Sequence, residues 1–199
     1  MCNGTHALIF ATNNQNKATE INAILGTTFK INTLREIGLE IDIPEPHATL
    51  EENAREKSTT IYKLTQSDCF GEDTGLEVEA LQGAPGVRSA RYAGEHCNTE
   101  DNIKKLLQEL ATEQNRKARF RTVISLIENG NEYQFEGVCE GMIAWTSHGE
   151  QGFGYDPIFI PLGSTKSFAS MTLDEKNKFS HRKKAVEKLV AHLHQKSRT

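Results

Sequence analysis

Cysteine is scarce in this 199-residue chain, and its four cysteines lie far apart. They are Cys2, Cys69, Cys97 and Cys139. The sequence contains no Cys-x-x-Cys pair and no cysteine and histidine cluster at zinc-ligand spacing, which argues against a zinc ribbon. We predict that the thiols are reduced and that the protein is cytoplasmic, with a disulfide pair as the alternative.

Long apolar runs, a basic N-terminal segment and an excess of charge are missing as well. No stretch approaches the roughly 18 apolar residues that cross a bilayer, so we expect neither a membrane span nor export. Lys and Arg total 23 against 27 Asp and Glu, which leaves a formal net charge of −4. This balance argues against a general surface for nucleic acids.

Internal repeats, low-complexity tracts and linkers are also absent from the sequence. Hydrophobic residues make up 37% and charged residues 25% of the chain, which is typical of a globular protein. Since domains usually contain roughly 100 to 200 residues, this length fits one domain. We predict a single domain over residues 1–199.

The apolar pattern predicts both strands and helices. Residues 7–11 form an unbroken apolar run, which indicates a buried strand, and residues 17–25 carry apolar side chains at helical spacing. Further helices are predicted over residues 50–66, 100–110 and 180–194, and strands over residues 76–81, 120–127, 133–140 and 142–145. The fold class is therefore α/β with a mixed sheet.

The segment before the second helix carries an acidic side chain on a stiff loop. Pro44 and Pro46 keep the backbone extended around Glu45, which leads into the helix. Thr49 and Glu52 have the spacing of a capping box, in which each side chain bonds to the other residue's backbone N–H. We expect the helix to begin directly after Thr49.

Polar side chains follow the first strand, where the next helix starts. Thr12 and Asn14 offer hydroxyl and amide groups, and Lys17 adds a positive charge in the first helical turn. Backbone N–H groups and the helix dipole attract anions at such a position, which favours phosphate binding. The alternative is an Asx turn and helix cap beside a solvated lysine.

Two adjacent acids, Glu72 and Asp73, stand in residues 71–75, which we predict to be a turn between two elements. Carboxylate oxygens suit Mg²⁺, which keeps several waters and is commonly shared with substrate phosphates. Either carboxylate could also accept a proton from water. The alternative is an ordinary acidic turn.

Two glycines bracket an aromatic ring in residues 152–157. Glycine lets a flat ligand approach the backbone, so that Phe153 or Tyr155 could stack on a base while Asp156 accepts a hydrogen bond from its edge. A structural turn with buried aromatic rings is the alternative.

Farther on, residues 176–184 concentrate basic side chains, which indicates an anion or nucleotide site or a solvated helix face.

These segments together supply the groups that a nucleoside triphosphate requires, and they resemble the inosine triphosphate pyrophosphatase family, which removes non-canonical purine nucleoside triphosphates. The markers are Thr12-x-Asn14-x-x-Lys17, Glu52-Asn53-Ala54 with Lys57, Glu72-Asp73-Thr74-Gly75-Leu76, Gly83-Ala84-Pro85-Gly86 with Ser89-Ala90-Arg91-Tyr92, Gly152-Phe153-Gly154-Tyr155-Asp156-Pro157, and Ser180-His181-Arg182. They stand in family order across almost the whole chain.

The resemblance implies an elongated, mixed central sheet flanked by helices, in two lobes with the active-site cleft between them. It also implies Mg²⁺-dependent hydrolysis of the triphosphates of inosine, deoxyinosine and xanthosine (ITP, dITP and XTP). Water would attack the α-phosphorus, releasing the monophosphate and pyrophosphate, and the protein would be a homodimer.

The same resemblance implies a role for individual residues. Asp73 would bind Mg²⁺ or take the proton from the attacking water, with Glu45 and Glu72 as further metal ligands. The triphosphate would contact Thr12, Asn14, Lys17 and Lys57, the nucleotide Thr74, and the base Phe153, Gly154, Tyr155, Asp156, Lys176, His181 and Arg182. Position 72 departs from the family, because many relatives have aspartate there, and Glu45 lies in a variable stretch.

Two other functions compete with hydrolysis. A non-catalytic regulatory module would keep the purine nucleotide pocket without the chemistry, and the intact pair Glu72 and Asp73 argues against it. Binding of RNA or DNA through the basic terminal helix would give an affinity that falls steeply with salt. The net charge of −4 argues against that function.

Overall fold

The computed structural model describes residues 7–25 and 29–196. The strands are β1 (Ala7–Phe10), β2 (Lys30–Thr33), β3 (Cys69–Val78), β4 (Pro85–Gly86), β5 (Lys117–Glu128), β6 (Asn131–Ile143) and β7 (Phe159–Pro161). The α-helices are α1 (Gln15–Leu25), α2 (Leu50–Thr65), α3 (Thr99–Glu109), α4 (Leu173–Asn177) and α5 (His181–Lys196). None of the helices in these described ranges has both the length and the apolar character that a membrane crossing needs.

The described strands form one mixed sheet in the order β2-β1-β3-β5-β6-β7, with β4 beside β3. β1 is parallel to β2 and β3, whereas β4 is antiparallel to β3 and β7 is antiparallel to β6. Asn129 and Gly130, with φ of 49° and 77°, connect β5 to β6 in a turn so short that these two strands must be antiparallel. The predicted α/β class with a mixed sheet is confirmed.

The described residues group into two compact units. Unit 1 comprises the described residues up to Asp73, together with Thr122–Gly137 and the chain from Arg182 onward. Unit 2 comprises Thr74–Arg121 and Val138–His181. Strands β3, β5 and β6 contribute residues to both units. A single domain over residues 1–199 and a cleft between two lobes stay predictions.

Each unit has its own apolar core. In unit 1, Ile21 of α1 and Leu189 of α5 belong to one buried cluster with Phe10 and Phe70, whose rings stack at 4.5 Å. In unit 2, the buried cluster contains Leu76, Leu106, Phe120, Phe159 and Phe168. The polar candidate residues therefore stand on elements that are fixed by apolar packing.

The turn predicted at residues 71–75 is wrong, because β3 continues through this segment. Glu72 and Asp73 lie inside the strand and are only 1% and 4% exposed. Gly71 serves close packing instead of a turn, since a Cβ atom there would lie 2.6 Å from the Cβ of Lys57 on α2. The glycine thus lets α2 approach the acidic part of the strand.

Two strand predictions also need correction. The strand predicted over residues 76–81 ends at Val78, and Glu79–Leu81 form a 3₁₀ turn. The segments 133–140 and 142–145 belong largely to one continuous strand, β6. By contrast, all four predicted helices are present, and their ends differ from the predicted ones by at most two residues.

The predicted helix cap at Thr49 forms only in part. The Thr49 hydroxyl accepts a hydrogen bond from the N–H of Glu52 at 3.2 Å. The Glu52 carboxylate, however, accepts from that same hydroxyl at 2.8 Å instead of from the backbone N–H. A complete capping box occurs at Thr172 and Glu175, where α4 begins, and it was not predicted.

The cysteines in the described part of the chain are free thiols. Cys69 and Cys139 are buried, whereas Cys97 is exposed. Burial raises the pKa of the Cys69 thiol to about 12, so this group stays protonated at neutral pH. Cys2 lies outside the described residues.

Candidate active site

The carboxylate of Asp73 faces helix α2 in unit 1. Lys57 donates to its Oδ1 atom at 3.1 Å, and Asn53 donates to its Oδ2 atom at 3.3 Å. Because Asn53 and Lys57 are four residues apart, they lie on one face of the helix. A single helix therefore holds both oxygens of this carboxylate.

A second acid approaches the same lysine. The carboxylate of Glu45 forms an ion pair with the Lys57 ammonium group, which also donates to the backbone carbonyl of Glu72 at 3.0 Å. The structure thus brings together Glu45 and Asp73, which lie 28 positions apart in the sequence, around one cation.

Burial and charge set the protonation of this cluster. Loss of water raises the pKa of the Asp73 carboxyl above its ordinary value, although Lys57 and Lys17 pull it down. Burial also disfavours the charge on Lys57, but the carboxylates of Asp73 and Glu45 outweigh it and raise the pKa of the ammonium group. Lys57 therefore stays charged, and Asp73 binds a proton more readily than an exposed aspartate.

Glu72 belongs to a buried chain of ion pairs. Its carboxylate contacts the Lys17 ammonium group at 2.5 Å and the Arg182 guanidinium at 2.9 Å. Arg182 is 1% exposed and also pairs with Glu20 of α1. The buried charge chain, as we call these four residues, connects α1, β3 and α5 within unit 1.

The start of α1 is capped by Asn14. Its Oδ1 atom accepts from the N–H of Lys17 at 3.1 Å, and the Thr12 hydroxyl accepts from the N–H of Asn14 at 3.0 Å. The structure therefore contains the helix cap that was the alternative to phosphate binding at this helix start. The side chain of Lys17 is only 16% exposed, because it pairs with Glu72, so it is not the solvated lysine of that alternative.

Unit 2 contains a second buried ion pair. The Lys176 ammonium group contacts Asp156 Oδ2 at 2.5 Å, and the same oxygen accepts from the N–H of Phe153 at 3.0 Å. The ammonium group also lies 5.3 Å from the centre of the Phe153 ring. An aromatic face, a cation and a carboxylate thus lie side by side, which are the groups that recognise a purine base.

The remaining candidates of unit 2 differ in their exposure. Tyr155 is buried and its hydroxyl donates to the backbone carbonyl of Ser89 at 2.9 Å. The buried ring of His181 stacks on Phe120 at 4.7 Å. Thr74 and Gly154 are partly exposed, and Gly154 has a φ of +59°, which favours glycine.

The predicted site residues fall in two groups. Unit 1 contains Thr12, Asn14, Lys17, Glu45, Lys57, Glu72, Asp73 and Arg182. Unit 2 contains Thr74, Phe153, Gly154, Tyr155, Asp156, Lys176 and His181. The candidates for phosphate and metal therefore belong to unit 1 and most candidates for the base to unit 2. Arg182 is the exception, because it belongs to unit 1, where it contacts Glu72 and Glu20.

Sequence reasoning assigned no role to Asn53 and Glu20. Both are buried and both contact predicted site residues, Asn53 through Asp73 and Glu20 through Arg182. Helical spacing was the available signal, because Asn53 precedes Lys57 by four residues and Glu20 follows Lys17 by three. A polar residue that shares a helix face with a predicted ligand is a candidate for supporting it.

The acids around Lys57 fit a magnesium ion. In the described part of the chain, no three His, Cys, Asp or Glu side chains form a ready-made metal cage. Mg²⁺ does not need one, because it is usually bound by one or two carboxylates together with waters and substrate phosphates. Glu45 and Asp73 meet this requirement, since both contact the same ammonium group.

Comparisons with known proteins identify relatives over almost the full length. The model of the Ham1 family matches residues 8–192. The chain is 49% identical to the dITP/XTP pyrophosphatase of Flavobacterium psychrophilum, over 92% of this chain and 96% of that protein. It is 52% identical to the protein of the same name from Porphyromonas gingivalis, over 92% of this chain and 94% of the relative.

Solved structures agree with these relatives. The Ham1 protein of Staphylococcus aureus superposes with a TM-score of 0.86 at 38% identity and covers 96% of this chain and 99% of its own. A HAM1 protein from Coxiella burnetii also has a TM-score of 0.86, at 36% identity, and covers 95% of this chain and 98% of its own. The match extends through both units.

Proposed function

This chain belongs to the Ham1 family, and from that premise we propose that it is a nucleoside triphosphate pyrophosphatase that acts on dITP, ITP and XTP. The products are the nucleoside monophosphate and pyrophosphate. The observation that supports this best is the Asp73 carboxylate, which is buried between Lys57 and Asn53 and shares Lys57 with Glu45. Buried, perturbed carboxylates of this kind are typical of catalytic sites.

Asp73 takes the proton of the attacking water in this proposal. Its burial raises the pKa of the carboxyl, which makes it a better base at neutral pH than an exposed aspartate. Lys17 and Lys57 neutralise charge on the triphosphate and on the departing pyrophosphate during in-line attack at the α-phosphorus. Thr12 and Asn14 hold the phosphates beside Lys17.

Glu45 and Asp73 would hold Mg²⁺, which supplies additional positive charge to the phosphates when bound. Glu72 stays a further predicted ligand, and in this structure its oxygens contact Lys17 and Arg182. We also expect a homodimer, on the strength of the family resemblance, and a cytoplasmic location, on the strength of the widely spaced cysteines.

Base recognition is assigned to the residues of unit 2. Phe153 stacks on the purine, Gly154, Tyr155 and Asp156 face its edge, and Thr74 contacts the nucleotide. The resemblance also assigns Arg182 to the base, although its guanidinium pairs with Glu72 and Glu20 within unit 1. Lys176 and His181 donate toward the 6-oxo group. Adenine has an amino group there, and a buried donor left unpaired costs about 1–3 kcal/mol, or roughly tenfold to hundredfold in discrimination.

The variant Asp73→Asn tests the proposal. We expect kcat for pyrophosphate release from ITP to fall by about 10²- to 10⁴-fold, because the amide cannot take the proton. The control is Asp68→Asn, which changes an acid of unit 1 whose carboxylate binds the N–H of Asn129 at 2.8 Å. That variant should keep kcat within about threefold.

Several results would contradict the proposal. Turnover at the wild-type rate in Asp73→Asn would remove the assigned base. Formation of a nucleoside diphosphate and orthophosphate would rule out attack at the α-phosphorus. Saturable binding of ITP without any monophosphate, measured with Mg²⁺ present, would indicate a binding module.

A further inference from the structure

We propose that Asn53 is a positioning residue that holds the Asp73 carboxylate and the segment bearing Glu45 in one fixed arrangement. The inference rests on the proposed function, because it assigns Asn53 to the reaction in which Asp73 takes part. It concerns a residue that itself touches neither water nor phosphate in that reaction.

The Asn53 amide makes three hydrogen bonds in different directions. Its Oδ1 atom accepts from the backbone N–H of His47 at 3.0 Å. Its Nδ2 atom has two protons, of which one goes to the backbone carbonyl of His47 at 3.3 Å and the other to Asp73 Oδ2 at 3.3 Å. The side chain thus bridges two segments that lie 26 positions apart in the sequence.

These three bonds restrain two acids, Glu45 and Asp73. His47 lies two residues after Glu45, so the paired bonds to its peptide groups fix the path of the Glu45 segment against α2. The bond to Oδ2 prevents rotation of the Asp73 carboxylate about the contact that Lys57 makes with Oδ1. Lys57 attracts both acids but, as a flexible point charge, it cannot fix their orientation.

Burial shows that this arrangement is specific. Asn53 is 0% exposed although asparagine is a poor residue for the inside of a helix. A buried amide is stable only when its donors and acceptor are satisfied, and here they are satisfied by His47 and Asp73. No other polar side chain of this length could match all three bonds, because only an amide both donates twice and accepts.

Asn102 provides a matched control in unit 2. It too is a buried asparagine on a helix, and it clamps a loop by accepting from the N–H of Ala93 at 2.6 Å and donating to the carbonyl of Ala90 at 2.8 Å. No acid is among these contacts. Asn102→Ala therefore removes the same kind of loop clamp without touching Asp73.

The first test compares Asn53→Ala with Asn102→Ala. We expect kcat for ITP to fall by about 10- to 100-fold in Asn53→Ala with KM changed by less than about threefold, because the base is misplaced while the nucleotide contacts remain. Asn102→Ala should lose a similar amount in melting temperature but keep its kcat. An unchanged kcat in Asn53→Ala, or an equal loss of kcat in Asn102→Ala, would overturn the inference.

Two more variants test whether Asn53 affects kcat through its contact with Asp73. Asn53→Asp keeps the acceptor for the N–H of His47 but replaces the donor that faces Asp73, so kcat should fall while amide exchange at His47 stays slow. In Asn53→Ala that exchange should become about tenfold faster or more. In an Asp73→Asn background, Asn53→Ala should cost less than about threefold in the remaining kcat, and full additivity would mean that Asn53 does not act through Asp73.

Hydrogen exchange separates the positioning role of Asn53 from the proposed function. The measurement requires no turnover, so slow amide exchange at His47 that is lost only in Asn53→Ala would support the positioning role even if the wild type hydrolysed no nucleotide. Such a wild type would contradict the proposed function alone. Unchanged amide exchange at His47 in Asn53→Ala, together with an active wild type, would contradict the positioning role of Asn53 alone.

Discussion

Asp73 and Lys57 depend on each other for their charges. A carboxylate with almost no contact with water favours its neutral form, and a nearby ammonium group reverses part of that preference. The lysine gains from two acids, Asp73 and Glu45, and its pKa rises despite burial. Removal of Lys57 should therefore change the acidity of Asp73 as well as the binding of phosphate.

The pH profile of the Lys57→Gln variant tests whether Lys57 lowers the pKa of the Asp73 carboxyl. Without the ammonium group nothing at that position lowers the pKa of Asp73, so the carboxylate will bind its proton at a higher pH. Activity requires the ionised form, and the acidic limb of the kcat/KM profile, which reports the groups of the free enzyme, should move to higher pH. The measurement is kcat/KM for ITP between about pH 5 and 9.

Lys63→Gln is the control, since Lys63 is an exposed lysine on the same helix. Its profile should match the wild type. An acidic limb that stays in place in Lys57→Gln would show that Lys57 does not set the acidity of the group that takes the proton.

The buried charge chain determines how α1, β3 and α5 are held together. Arg182 is 110 positions from Glu72 and 162 from Glu20, and it contacts both carboxylates with its guanidinium group. Burial disfavours its charge, but Glu72 and Glu20 outweigh that effect and raise the pKa of the guanidinium. Arg182 therefore stays charged, and its removal would take a cation from two buried carboxylates, Glu72 and Glu20.

Stability should therefore fall strongly in Arg182→Ala. Loss of one partner in a buried ion pair typically costs about 3–5 kcal/mol in the free energy of unfolding. Arg55→Ala is the comparison, because Arg55 pairs with Glu132 at the surface with 53% of its side chain exposed. Surface pairs contribute about 0–1 kcal/mol. Urea unfolding of both variants measures the difference, and equal losses would contradict the role of burial.

Local sequence patterns predicted the helices well and the central strand poorly. The four helices were found because an apolar stripe repeats within each one. β3 was missed at Gly71, since glycine in a sequence usually signals a turn. Its actual role is to make room for α2, and the presence of a packed helix at that point cannot be inferred from the neighbouring residues.

The candidate residues of unit 1 and those of unit 2 have different proposed roles. The cations and acids assigned to the triphosphate, such as Lys17 and Lys57, belong to unit 1. The groups assigned to the purine, such as Phe153, Lys176 and His181, belong to unit 2. If this division is functional, substitutions in unit 1 should affect all nucleotides alike, whereas substitutions in unit 2 should affect discrimination between bases.

His181→Phe and Lys17→Met test this division. The phenyl ring keeps the stack on Phe120 but lacks a nitrogen donor, so kcat/KM for ITP should fall by about tenfold to hundredfold while the value for ATP changes little. Lys17→Met should lower both values by the same factor. Initial rates of pyrophosphate release with the two substrates give these ratios. Equal losses in His181→Phe would assign His181 to the phosphates or to the fold.

The family, the α/β class and the helix positions were all available from the amino-acid sequence, because they depend on residue types in a fixed order and on apolar periodicity within short segments. The tertiary structure alone decided which charges meet. It paired Arg182 with Glu72 and Glu20, and it placed Asn53 between Asp73 and the peptide groups of His47. Such contacts join residues that are remote in the chain, and their distances depend on how the helices and strands pack against one another.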